Sequence, residues 1–274
     1  MPYRLAAALL AVLSLAACSS KAGMAEPAPP PAGTAPGAGA VVLPAGQKSG
    51  WTLAFSDEFT GTALNRAKWA DQSSAESDAG RGNKGNQQLE WNQAANCAVT
   101  GGALVMTARR EAVTSPAGTP YDWTSCLITS TPAYSFQYGY LEERAILPAR
   151  KGFWPAFWTW QARTVDHQVE TDVYEYYSDN PHKLYATPYS GAGGHCEWKP
   201  SFDPATGWHT YGVAIQPTGT TWYADGVQVC KAAGRPDALT DIISNLAVYA
   251  KIPPDPATRT ATKRVDYIRA WKPA

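Results

Sequence analysis

Gly152-Phe153-Trp154-Pro155-Ala156-Phe157-Trp158-Thr159-Trp160 decides how the chain is read. Side chains alternate across an extended strand, so Phe153 and Phe157 share one face while Trp154, Trp158 and Trp160 share the other. The simplest arrangement puts the two phenylalanines in a core between sheets and the three tryptophans on a second, concave face. The alternative is a strand packed on both sides, with all five rings serving the core. Outward from this stretch the apolar segments are short, rich in Val, Tyr, Trp and Thr, and separated by Gly, Pro or Asn-Asp turns, with little helical periodicity. Further strands are predicted at 103–108, 138–146, 169–177, 208–215 and 265–271. The segment 220–229 carries Asp225-Gly226, a strong hairpin dipeptide. About ten strands in one domain imply an all-β fold of two stacked antiparallel sheets, a sandwich or jelly roll.

Immediately downstream stands Val169-Glu170-Thr171-Asp172-Val173-Tyr174-Glu175-Tyr176-Tyr177, three carboxylates in a strand-forming stretch. Acidic residues are depleted in strands, so their presence needs a reason. Spacing alone does not decide the matter, because acidic triples of this kind also arise by chance. Glu170 and Asp172 point to one face, and Glu175 would fall on the opposite one in a regular strand. A β-bulge between Asp172 and Glu175 returns it to the shared side. Crowded carboxylates resist joint ionisation, which raises the pKa of at least one and yields one acid and one base. That division is what glycosidic cleavage requires. The alternating apolar residues lack the Gly-bearing loop of an EF-hand calcium site. Beside such a pair, tryptophans on an open face would be platforms for the apolar faces of sugars.

The 11 Trp, 14 Tyr and 6 Phe exceed what one core holds, which also points to a ligand-stacking surface. Lys and Arg number 23 and Asp and Glu 23, so the net charge is zero; with 17% charged residues there is no basic face for nucleic acid. Residues 5–17 form an apolar run too short to span a bilayer, reading as an export signal over 1–18. Leu15-Ala16-Ala17-Cys18 resembles the bacterial lipobox, which would lipidate Cys18; the alternative is ordinary cleavage near Ala17. Residues 19–50 are rich in Ala, Pro and Gly and read as a semi-stiff tether, leaving 51–274 as one domain. The even set Cys97, Cys126, Cys196 and Cys230 suggests two disulfides in an oxidising compartment or, failing that, buried thiols. Three pairings are open, and proximity favours 97 with 126 and 196 with 230.

The chain resembles glycoside hydrolase family 16, the laminarinase-like β-glucanases, over nearly all of 51–271. The resemblance is carried by Ala54-Phe55-Ser56-Asp57-Glu58-Phe59 with Leu64 and Trp69, and by Gly102-Ala103-Leu104-Val105-Met106-Thr107-Ala108. It continues through Tyr138-Gly139-Tyr140-Leu141-Glu142, Trp154-Pro155-Ala156-Phe157-Trp158, Trp208-His209-Thr210-Tyr211, Tyr223-Ala224-Asp225-Gly226 and Val265-Asp266-Tyr267-Ile268-Arg269. It implies a concanavalin-like β-jelly-roll with an open cleft and a retaining double displacement. Glu170 would be the nucleophile, Glu175 the general acid/base and Asp172 the residue that orients them, with Trp154, Trp158 and Trp160 as sugar platforms. The implied protein is an exported, lipid-tethered monomer that acts on internal bonds of β-1,3 or mixed-linkage β-glucan and requires no cofactor. Hydrolysis or transglycosylation of another β-linked polysaccharide, such as a galactan, and a non-catalytic glycan-binding module are the alternatives. A sulfated substrate would call for basic residues, and the region offers few apart from Arg144, Arg150, Lys151 and Arg163.

Departures from the family pattern bear on specificity. Ser125-Cys126-Leu127-Ile128 stands where Ser-Gly-Arg-Ile is usual, so an arginine is missing. Tyr185-Ala186-Thr187-Pro188-Tyr189 and a Gly191–Gly194 turn replace a region where a histidine is common. His209 reads as structural. Glu58, Gly102 and Asp266 match positions that surround a structural calcium in some members, although packing or turn roles fit them better here.

Overall fold

The computed structural model describes residues 31–33, 36–37, 40–148, 150–178, 183–188 and 195–274. The expected signal segment, Cys18 and the Gly191–Gly194 turn lie outside these residues. Two antiparallel sheets face each other, apart from one parallel pairing at the edge of the outer sheet. The outer sheet runs in the order Val227–Ala232, Gly219–Ala224, His209–Gln216, Gly139–Ile146, Thr260–Pro273, Ala103–Arg109, Trp123–Ser125, Glu90–Asn92. The cleft sheet runs Cys196–Trp198, Leu184–Ala186, Glu170–Glu175, Phe153–Gln161, Thr240–Val248, Leu127–Thr129. Every strand expected from the sequence is present to within a few residues, and Asp225 and Gly226 turn the hairpin with φ of 47° and 76°. The remaining strands are mostly two to four residues long, too short for an alternation pattern to register.

Phe153 and Phe157 are buried between the sheets, where Phe153 meets Trp123 edge-on and Phe157 lies against Tyr174. The core also holds an ion pair. Lys263 Nζ lies 3.1 Å from Glu143 Oε2, and both side chains are fully buried. Lys263 further donates to Ala156 O and Ser244 Oγ, while Ser244 Oγ and Tyr174 OH donate to Glu143. Each charged atom thus has a partner, without which burial would be prohibitive.

Disulfides join Cys97 to Cys126 and Cys196 to Cys230. The second ties the edge strand of the cleft sheet to the edge of the outer sheet. Packing extends N-terminal to Trp51. Trp271 Nε1 donates to Val42 O, Ala45 N to Glu142 Oε2, and Gly33 N to Asp266 Oδ1. Gly46, at φ 74°, sits so close to Gly226 that a Cβ there would meet its carbonyl at 2.3 Å.

Candidate active site

Strand register orients the acidic residues. Trp160 opposes Glu170, Trp158 opposes Asp172 and Ala156 opposes Glu175. Directly opposed residues of an antiparallel pair share a face, and 156, 158 and 160 share one by alternation. All three carboxylates therefore face the cleft. The register slips between Phe157 and Trp158, because Phe157 opposes Tyr174 while Trp158 opposes Asp172. Val173 is the additional residue, a bulge where the sequence placed it. Val173 and Tyr174 both enter the core, and Tyr174 is held there by Glu143, so the bulge is anchored from beneath.

The carboxylates line a cavity of about 410 Å³. Its floor carries Trp154, Trp158 and Trp160, and its far wall is built from Glu76, Asn83, Asn86 and Gln88. Trp154 and Trp158 each keep 9% of their surface and Trp160 keeps more, so Trp160 is the most open of the three. Trp154 stacks on Tyr177 with ring centres 5.0 Å apart, and its Nε1 donates to Glu175 Oε1 at 3.2 Å. Tyr177 OH donates to the same oxygen at 3.1 Å. Trp158 Nε1 donates to Asn245 Oδ1 at 3.0 Å. Gln168 donates to Glu170 Oε2.

Burial and like charge govern ionisation here. Burial, with Glu175 adding to it, pushes Glu170 up to about 7 against the Gln168 hydrogen bond. Burial, then Glu175 and Glu170, holds Asp172 well above the ordinary carboxylate range. Burial also raises Glu175, opposed by the Tyr177 and Trp154 donors and by the charge of His195. Joint ionisation of the three acids is therefore disfavoured, and the site can carry an acid and a base together.

A second acidic chain runs back from the cavity wall. With its amide nitrogen turned toward the acids, Gln88 donates to Glu76 Oε2 at 3.0 Å and Glu90 Oε1 at 3.2 Å. Burial raises Glu76 to about 7; burial and the nearby Glu76 raise Glu90 to about 8, although Val248 N donates to it at 2.8 Å. A carboxyl raised on folding stabilises the fold below its unfolded pKa, and that contribution is lost as pH rises toward the folded value. Thermal stability should consequently fall between pH about 5 and about 8. Glu90→Gln should flatten the decline, as read by melting curves across that range.

Sequence reasoning brought Glu170, Asp172, Glu175 and the tryptophans to one face. It missed Tyr177, although alternation from Glu175 pointed to it, and Asn245, which pairs across from Ala156. The wall residues come from a loop whose short 3-10 turn Lys84–Asn86 is capped by Asn83, and no strand pattern marks them. Leu127, at the position of the missing arginine, opposes Asn245 and packs with Ala156, Trp158 and Ile243 on the cleft face. His209 stacks on Phe202 at 3.6 Å and bonds Asp225, away from the acids. Arg144 pairs with Asp266, and Arg269 grips Glu58 through two hydrogen bonds. Glu58 and Asp266 are thus each engaged by an arginine.

Comparison with known proteins agrees with this geometry. The family model for glycosyl hydrolases family 16 matches residues 83–268. The endo-1,3-1,4-beta-glycanase EglC of Rhizobium meliloti (strain 1021) is 31% identical over 80% of this chain and 50% of its own length. Glucan endo-1,3-beta-glucosidase A1 of Niallia circulans is 28% identical over 82% of this chain and 38% of its own. The catalytic domain of an endo-1,3-beta-glucanase (laminarinase) from Thermotoga petrophila RKU-1 superposes with a TM-score of 0.73 at 27% identity, covering 81% of this chain and 98% of that one. The chain belongs to glycosyl hydrolases family 16. It spans half or less of the length of these two curated relatives.

Proposed function

We propose that the protein is a retaining, endo-acting β-glucanase that cleaves β-1,3 or mixed β-1,3-1,4 linkages by double displacement. The observation that carries this reading is the bulge at Val173, which sets Glu170, Asp172 and Glu175 on one face in an aromatic cleft. Glu170 attacks the anomeric carbon while Glu175 protonates the leaving oxygen, giving a glycosyl ester on Glu170. Glu175 then takes a proton from water, which breaks the ester with retained configuration. Asp172, deepest of the three, keeps its proton and steadies the charge that moves between its neighbours. Among the described residues, the cavity lining holds no arginine or lysine, which suits a neutral polysaccharide. Two disulfides support action outside the cytoplasm. There the protein works as a monomer, without cofactor, tethered through lipidated Cys18 and only the part of 19–50 ahead of Pro31, since Pro31, Gly33, Val42 and Ala45 pack on the domain. Incubation with laminarin, lichenan, agarose and carrageenan, followed by NMR of the first products, tests the reading. Short oligosaccharides with initial β configuration are expected from the glucans; initial α products, or cleavage of the galactans alone, would overturn it.

A further inference from the structure

Beyond Glu175 the cleft sheet continues, and register again fixes what it presents. Glu175 opposes Tyr185, and Tyr185 opposes Glu197, so one row of the cleft face reads Glu175, Tyr185, Glu197 across three strands. Adjacent strands are about 5 Å apart, which places Tyr185 one ring's width beyond the proposed acid. Tyr185 is half-buried, with its ring edge-on to Tyr177 at 5.5 Å and beside His195 at 6.0 Å. Glu197 accepts from Lys183 Nζ at 2.8 Å and lies 3.4 Å from His195 Nε2. All of this lies on the flank away from the Trp158 and Asn83 pocket.

We propose that Tyr185, with Lys183 and Glu197 at its far edge, forms the binding site for the neutral sugar on the leaving-group side of the scissile bond. The inference rests on the glucanase reading, since Glu175 must be the group that protonates the leaving oxygen. Tyr185 offers its ring to the apolar face of that sugar. Glu197 accepts from its hydroxyls, and Lys183 donates to them. A neutral ring beside the paired Lys183 and Glu197 can hydrogen-bond to both, whereas a charged one meets a like charge. The same site would receive an acceptor sugar: its hydroxyl attacks the anomeric carbon of the ester on Glu170, the ester bond breaks, and the hydroxyl proton passes to Glu175.

The test compares wild type, Tyr185→Ala and Glu197→Gln on two substrates that share the donor sugars. One is the glucan; the other is the β-glycosyl fluoride of the shortest oligosaccharide that wild type releases, whose leaving group occupies no sugar site. Tyr185→Ala is expected to lower the ratio of glucan to fluoride kcat/KM about tenfold, and to reduce transfer from the fluoride to added oligosaccharide relative to its hydrolysis. Glu197→Gln, an exposed change that leaves the fold intact, is expected to move both readings the same way by less. Equal losses on both substrates, or no change in either ratio, would overturn the proposal. A wild type inert on the glucan and the fluoride alike would remove the parent reading instead.

Discussion

Glu170→Ala is expected to lower glucan turnover by on the order of 10⁴-fold or more, and azide to restore part of it with an inverted product. Removing the carboxylate opens space on the face of the sugar opposite the leaving oxygen. Azide can then attack the anomeric carbon directly while Glu175 still donates its proton, giving an α-glycosyl azide from a β-glycosyl fluoride or glucan. Glu175→Ala should cost about 10²–10⁴-fold on glucan, the range of general acid–base catalysis. It should cost much less on the fluoride, which leaves without a proton. Here azide attacks the ester already formed on Glu170, so the product is the β-glycosyl azide. NMR of the anomeric proton separates the two outcomes. The opposite pairing of variant and configuration would exchange the assigned roles, and no azide adduct from either variant would remove them. Trp154 and Tyr177 both donate to Glu175 Oε1, so Glu175→Ala also removes their acceptor, whereas Glu170→Ala leaves both bonds in place.

How far this site was legible in the sequence depended on which signal each residue carried. Phe153 and Phe157 on one face, with Trp154, Trp158 and Trp160 on the other, followed from alternation alone, and the strand bears it out. The bulge followed from a phase conflict: two acids on one side and a third out of step, in a strand where burial of a lone carboxylate is costly. The proximal disulfide pairings also held. The wall at Glu76, Asn83, Asn86 and Gln88 was invisible, because loop residues reach the cleft through long-range closure of the chain. Glu90 and Gln88 likewise carry no periodic signal that marks them as interior, although Glu90 is fully buried. Lys263 and Glu143 were opaque in a different way. A charged residue in a strand ordinarily marks the solvent face, and only partners more than a hundred positions apart reveal that these two face inward.

Lys263→Met should destabilise the fold by about 3–5 kcal/mol, the cost of leaving one member of a buried pair without the other. Methionine matches the stem of lysine in volume, so cavity formation contributes little. The loss falls on Glu143, which keeps the Tyr174 and Ser244 hydroxyls as donors but no counter-charge. Glu143→Gln alone should also destabilise, by stranding the ammonium. The double variant Lys263→Met, Glu143→Gln should recover part of what the single changes lose, since the amide oxygen still accepts from Tyr174, the amide NH2 donates to Ser244 Oγ in place of Lys263, and no buried charge remains. Guanidinium unfolding reads the difference as a lower midpoint at unchanged slope. A loss below about 1 kcal/mol for Lys263→Met would mean that water reaches the pair, as at a surface site. The consequence extends to the cleft, because this network fixes both sides of the bulge. Lys263 holds Ala156 O on the strand opposite Glu175, and Glu143 holds Tyr174 within the bulged strand. Glu143→Gln preserves the second contact and Glu143→Leu removes it, so at a temperature where both variants are folded the leucine variant should show the larger fall in kcat.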